Sequence, residues 1–411
     1  MQVAPVALDA SERRRIGSAG IAVLLCFLVA LLEGFDLQVI GVAAPLIARD
    51  LGIGPDQSGW LFSASLVGLA IGAVVGGRLA DRRGRKPVLI AAVAVFGLFT
   101  LAAAASTGFS SLLLFRFLTG LGLGGSMPNI IALVSEKVRP ENVTRSVSAM
   151  VCGLSAGGVL VAQLARLLPP DMGWRALFVI GGVLPLMLVP LLWIGLTETA
   201  RPMARAGQPR RSYWTDLFGD GQGRVTIALW LVFSLTLMQL SMLLNWLPSL
   251  VIAKGMDRQL AFLAATILNI GGIVGSLAIG WLCDRFGARW PMLIVYAAMA
   301  AALYGLSLVA TAQPLLALAF VAGFLVLGAQ FALYGLSPRV YPGESRASGV
   351  GAAVAVGRIG AIAGPILAGQ MLAGGRSADS VLLLMVPLVA LAGVAMLALA
   401  AFTGRSLAPQ S

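Results

Sequence analysis

Gly77-Arg78-Leu79-Ala80-Asp81-Arg82-Arg83-Gly84 is a charged stretch between two long apolar runs, and it returns 203 residues later as Gly280-Trp281-Leu282-Cys283-Asp284-Arg285-Phe286-Gly287. The same offset relates Pro45 to Pro248, each near the end of an apolar run. A chain that repeats itself at half its length is built from two copies of one unit. What surrounds the two copies identifies the unit. Of 411 residues, 59% are hydrophobic and 11% charged, with 50 glycines and no histidine. A soluble domain carries about 25% charge. A spanning helix takes about 20 mostly apolar residues. Runs bounded by charge, proline or glycine clusters mark twelve: 17–45, 60–79, 87–106, 112–133, 147–167, 174–196, 225–252, 260–282, 291–310, 314–336, 348–372 and 381–403. No hydrophilic block large enough for a soluble domain remains, and so apolar a chain is not disordered.

The longest polar stretch, 198–224, separates six runs from six. The expected organisation is an N-terminal six-helix bundle over 1–197, a cytoplasmic central loop over 198–224 and a C-terminal six-helix bundle over 225–411. The fold class is therefore an all-α membrane protein: twelve transmembrane helices in two six-helix pseudo-repeats around a central cavity. That is the architecture of a secondary transporter, with substrate bound near the midplane. Placing both termini in the cytoplasm puts 21 of the 29 basic residues on that side, six outside, and two (Arg116 and Arg358) inside spans, as the positive-inside rule requires. The same asymmetry accounts for the net charge of +12 without any nucleic-acid partner.

Without histidine there is no imidazole proton relay or histidine metal site. Cys26, Cys152 and Cys283 lie in or beside apolar runs without ligand spacing, so no metal site is expected. Protons must travel on carboxylates. Glu33 and Asp36 are the only acids inside any expected span, and a charge at the centre of an inserted helix costs about 2.5–3.5 kcal/mol. Three residues apart, they share one helix face. Either they are a structural pair satisfied by Arg116 or backbone, or one or both bind a transported proton. A carboxyl whose cation partner comes and goes with a conformational cycle can load and release a proton near neutral pH. Arg116 stands a few residues inside its span, where snorkelling to the interface is the competing account. Arg358 stands about ten residues into the eleventh run, where snorkelling is hard. It either pairs with the first-helix acids, receives a substrate carboxylate through its forked guanidinium, or braces the glycine-rich span.

Gly77 through Lys86 matches the signature loop of the major facilitator superfamily, and Arg116-x-x-x-Gly120-x-Gly122-x-Gly124 resembles its second motif. Glu33-Gly34-Phe35-Asp36, Met127-Pro128-Asn129 and Tyr341-Pro342-Gly343-Glu344-Ser345-Arg346 resemble motifs of the aromatic acid:proton symporter family within it. So does the following Gly357-Arg358-Ile359-Gly360. Most members begin the first motif with Asp. The Glu form, with Cys26 through Leu31 and Asn245-Trp246-Leu247-Pro248, is similar to the 3-(3-hydroxyphenyl)propionate transporter branch.

The resemblance implies the major facilitator fold, a multi-pass protein of a bacterial inner membrane, and proton-coupled import of a small aromatic carboxylate. The proton is then the coupling ion, no other cofactor is needed, and the chain acts as a monomer in the lipid bilayer. The first-helix motif also resembles that of proton-coupled sugar porters, which implies that Asp36 and Arg116 form a coupling pair with Glu33 as the second acid. Asn129, Asn245, Trp246, Asn269, Gln330 and Tyr334 are candidates to line the substrate site with Arg358, since an aromatic ligand needs flat apolar walls and a few donors. Each also suits helix packing. Asp81, Arg85, Glu136, Arg145, Asp284, Arg285, Glu344 and Arg346 fall at cytoplasmic helix ends, where exposed pairs contribute only about 0–1 kcal/mol. The resemblance implies that Asp81 and its partners latch the halves together while the cavity opens outward. The rival readings are a proton-driven exporter of drugs or aromatic metabolites, a receptor without transport, and an intramembrane enzyme. The last lacks any evident nucleophile.

Overall fold

The computed structural model describes residues 10–139, 142–169, 172–198, 217–219, 222–341 and 346–403, with backbone alone for 10–18, 144, 145 and 346–348. Most of the central loop, and Glu344, lie outside the described residues. Twelve long helices account for nearly all the rest: α1 (Ala10–Leu51), α2 (Pro55–Arg83), α3 (Arg85–Ala104), α4 (Phe109–Lys137), α5 (Val143–Leu167), α6 (Gly173–Gly195), α7 (Gly223–Ala253), α8 (Arg258–Phe286), α9 (Arg289–Leu308), α10 (Ala312–Val340), α11 (Arg346–Ala373) and α12 (Ala378–Thr403). All twelve are long and apolar enough to cross a membrane, and the protein is a multi-pass membrane protein. Most helices outrun the apolar run that announced them. The run at 60–79 becomes Pro55–Arg83, because composition marks only the hydrocarbon portion while backbone hydrogen bonding carries the helix into its polar ends.

The repeated charged stretch has the same conformation in both halves. A single residue, Gly84, separates α2 from α3 at φ 101°, and Gly287 ends α8 at φ 77°. Glycine adopts that backbone without the steric cost a side chain would add.

Packing repeats as well. On α2, Gly68 and Gly72 bring α4 close at Phe117 and Leu121; on α8, Gly271 and Gly275 do the same for α10 at Phe320 and Phe324. Gly157 of α5 rests on the Leu31 carbonyl of α1, and Gly360 of α11 on the Ser234 carbonyl of α7. Each of these three pairs of glycines is related by 203 residues. Such small residues drive membrane helix association, since apolar burial gives no advantage in lipid.

One face of the molecule carries the α2–α3, α6–α7 and α8–α9 connections and most of the basic residues; it is called the basic face below, and its opposite the far face. The halves meet along α1 and α7, α2 and α11, and α5 and α8. Every described hydrogen bond between halves lies in the far-face portion. Ser63 Oγ donates to the Ile362 carbonyl at 2.7 Å, and Gln163 Nε2 to Thr266 Oγ1 at 3.2 Å. Gln259 Nε2 donates to the Arg166 carbonyl at 3.3 Å. Deeper in, the amides of Gln38 and Asn269 bond each other reciprocally, at 3.1 and 2.8 Å. Phe62 meets Trp246 edge-on at 5.0 Å between ring centres. Toward the basic face no hydrogen bond or ion pair joins the halves among the described residues. The described bonds between the halves are thus gathered at the far face.

Candidate functional site

The chemistry begins on α1, where Glu33 and Asp36 are both buried. Gly34 between them admits the Leu154 backbone of α5, so the two acids point away from α5. Asp36 is surrounded by donors. Arg116 Nη1 reaches its two carboxylate oxygens at 3.0 and 3.2 Å, and Arg116 Nη2 its backbone carbonyl at 3.0 Å. Thr100 Oγ1 donates to Oδ1 at 2.5 Å. The guanidinium also stands 5.8 Å from the Phe178 ring centre. Arg116 is fully buried, which removes the account of it as an arginine snorkelling to the interface. All these groups belong to the N-terminal half, and their bonding matches an ionised carboxylate, which only accepts.

Glu33 has a different shell. Ser126 Oγ lies 2.6 Å from Glu33 Oε2 and 2.7 Å from the Leu123 carbonyl. A hydroxyl has one proton to donate. Both short contacts are hydrogen bonds at once when the carboxyl itself carries a proton and donates to the serine. The remaining charge within the spans is Arg358, on α11 of the other half. Arg358 is half-buried and makes no hydrogen bond or ion pair among the described residues. It lies on the face of α11 that, one to two turns nearer the far face, packs against α2 at Gly59 and Ser63.

The expected wall residues divide into three groups. Trp246 Nε1 donates to the Pro365 carbonyl at 3.1 Å, and its ring meets Phe62. Asn269 is bonded to Gln38, so both already serve the contact at the far face. Asn129 and Asn245 each bond a carbonyl of their own helix at 2.8 Å, at Gly125 and Ser241; the Asn245 side-chain oxygen has no partner among the described residues. Tyr334 packs edge-on to Phe233 at 5.6 Å. Gln330 is buried with neither amide atom bonded among the described residues; leaving such a group unpaired costs about 1–3 kcal/mol.

Those of the expected latch residues that form ion pairs among the described residues pair within a half. Arg85 Nη2 meets Glu136 Oε1 at 2.9 Å in the N-terminal half. Asp284 is held by Arg339 at 2.6 Å in the C-terminal half. Arg285 lies over the rings of Trp281 and Phe286, and Asp81 is exposed. The side chains of Arg145 and Arg346, and the whole of Glu344, lie outside the described residues.

Gln38, Thr100, Ser126, Arg339 and Glu198 are the residues that sequence reasoning missed. Glu198 accepts from the backbone N–H of Arg85 at 3.0 Å and anchors the start of α3. Gln38 alone had a readable signal, as an amide inside an apolar run; hydroxyls are too common in spanning helices to single out.

The sequence profile described as Major Facilitator Superfamily matches residues 26–278 and 255–410. The chain belongs to the major facilitator superfamily. Within that superfamily it is 43% identical to the 3-(3-hydroxy-phenyl)propionate transporter of Escherichia coli (strain K12), over 90% of this chain and 91% of the relative. It is 36% identical to the 4-hydroxybenzoate transporter PcaK of Pseudomonas putida, over 90% of each. A solved bacterial homologue of the human lysosomal transporter Spinster, inward-facing and unoccupied, superposes with a TM-score of 0.77 at 17% identity, covering 96% of this chain and 99% of that one. That likeness speaks to the major facilitator fold alone. The superfamily and these relatives are transporters, not enzymes.

Proposed function

We propose that the protein is a proton-coupled symporter that imports an aromatic carboxylate, of the kind typified by 3-(3-hydroxyphenyl)propionate, by alternating access. Its seat is a bacterial inner membrane, with the basic face and both termini in the cytoplasm. The described arrangement is then inward-open, and the far-face contacts are its outer closure. One observation carries the reading: of the four charges deep in the membrane, Asp36 and Arg116 neutralise each other within one half, while Glu33 is bonded to Ser126 alone and Arg358, on α11 of the other half, has no ion pair among the described residues.

Charge balance then couples the two cargoes. An ionised Glu33 opposite Arg358 makes a neutral empty layer. A substrate carboxylate on Arg358 together with a proton on Glu33 makes a neutral loaded one. Anion alone or proton alone leaves a net charge in a closed, low-dielectric gap, which is costly. Rocking of the halves is therefore favoured when the layer carries both or neither. The Ser126 geometry corresponds to the proton-bearing Glu33 that remains once the carboxylate has left toward the cytoplasm. Arg85, Glu136, Asp284 and Arg339 bias the inner side without joining the halves here. With both halves in one chain, the monomer is the transport unit, and the proton is the only coupling species required.

The test is uptake of labelled 3-(3-hydroxyphenyl)propionate into proteoliposomes. Uptake accelerates when the outside is made acid relative to the lumen. Accumulation indifferent to that gradient sinks the coupling.

A further inference from the structure

Gln330 sits on α10 nine residues after Val321, which is 39% exposed. Nine residues are two and a half helical turns, so Gln330 faces the opposite way, into the bundle. Its depth follows from its neighbours. Tyr334, one turn along, packs on Phe233 of α7, placing Gln330 level with the next turn of α7. On α11, the Val356 carbonyl accepts from Ser234 Oγ at 2.9 Å, and Gly357 lies against Phe233 and Leu237. Arg358 and Gln330 therefore occupy one layer of the C-terminal half, on helices that pack together. Packed helices stand about 8–10 Å apart, a distance that a phenyl ring with a short acid chain bridges.

An amide offers two donors and two acceptor sites, and Gln330 uses none of them on the described protein. A leucine would fill the same space without that penalty. We infer that Gln330 is the specificity-determining residue for ring hydroxylation: with the substrate carboxylate on Arg358, its amide bonds a hydroxyl at the far edge of the ring. The transporter then prefers hydroxylated aromatic acids over bare aryl acids, because a site built to bond a hydroxyl is left unpaired by the analogue that lacks it. This inference rests on the aromatic-carboxylate reading above and adds what selects among such acids.

The test compares uptake of 3-(3-hydroxyphenyl)propionate and 3-phenylpropionate into proteoliposomes by the wild type, Gln330→Met and Gln330→Asn. The wild type discriminates for the hydroxylated acid. Gln330→Met is expected to erase that preference by about tenfold or more, through a raised KM for the hydroxylated acid, while uptake of 3-phenylpropionate is retained. The retained uptake reports that the variant is folded. Gln330→Asn keeps an amide and recovers part of the preference. An unchanged preference in Gln330→Met, or a wild type that takes both acids equally, overturns the assignment. A Gln330→Met that transports neither acid is judged by competition binding of the two acids to the purified variant, where the same loss of preference is required. Wild type that transports neither acid instead removes the aromatic-carboxylate reading itself.

Discussion

Asp36 and Glu33 are one helical turn apart, yet their surroundings give them different work. Asp36 is held by Arg116 and Thr100 inside one half. Glu33 has one hydroxyl at hand and no cation bonded to it among the described residues. Asp36→Asn strands a buried guanidinium, and breaking such a pair costs about 3–5 kcal/mol; a thermal-unfolding scan in detergent is expected to register that loss, with uptake falling alongside. Glu33→Gln is expected to leave unfolding nearly unchanged, because an amide can still bond Ser126. It abolishes the response of uptake to pH while substrate exchange between the two sides persists. Comparable destabilisation by both substitutions would contradict this division of roles. The four charges stood out in the sequence because charge is scarce in spanning helices. The pairing of Asp36 with Arg116 was implied by the likeness of the first-helix motif and is present, though spacing alone, blind to tertiary neighbours, did not fix it. Ser126 and Thr100 were illegible for the same reason: their roles come from tertiary neighbours.

Among the elements, helix identity was readable almost in full from apolar runs, and helix ends were not. The sequence marks where lipid begins, while Arg83 and Lys137 lie within helices that continue past it. Helix partners were partly legible too. Glycines related by the 203-residue offset reappear as matched close approaches. Gly157 and Gly360 are expected to behave alike: leucine at either pushes α5 from α1 or α11 from α7, and the yield of monodisperse protein drops in both. At the far-face contact, Gln38→Leu leaves the Asn269 amide without its partner and weakens the outer closure. A single cysteine at Thr266 in a background lacking Cys26, Cys152 and Cys283 reports this. Its labelling by a polar thiol reagent from the far face rises in the Gln38→Leu variant. Unchanged labelling would show that the amide pair does not hold the closure.

Across the molecule, the two-fold repeat was visible in sequence, and so was the side on which positive charge collects. The state of the latch was not. Arg85 with Glu136, and Asp284 with Arg339, are satisfied inside their own halves here, as the proposed inward-open arrangement requires. Loops of like composition serve either arrangement, so composition could not choose between them. The mechanism proposed above has the whole molecule exchange one neutral layer, built on Glu33 and Arg358, for another. Proton movement with substrate tests that most directly. In lightly buffered proteoliposomes with no imposed gradient, adding 3-(3-hydroxyphenyl)propionate outside is expected to alkalinise the medium beyond protein-free liposomes. Glu33→Gln should lose that signal while retaining substrate counterflow. Full alkalinisation by Glu33→Gln would contradict the account.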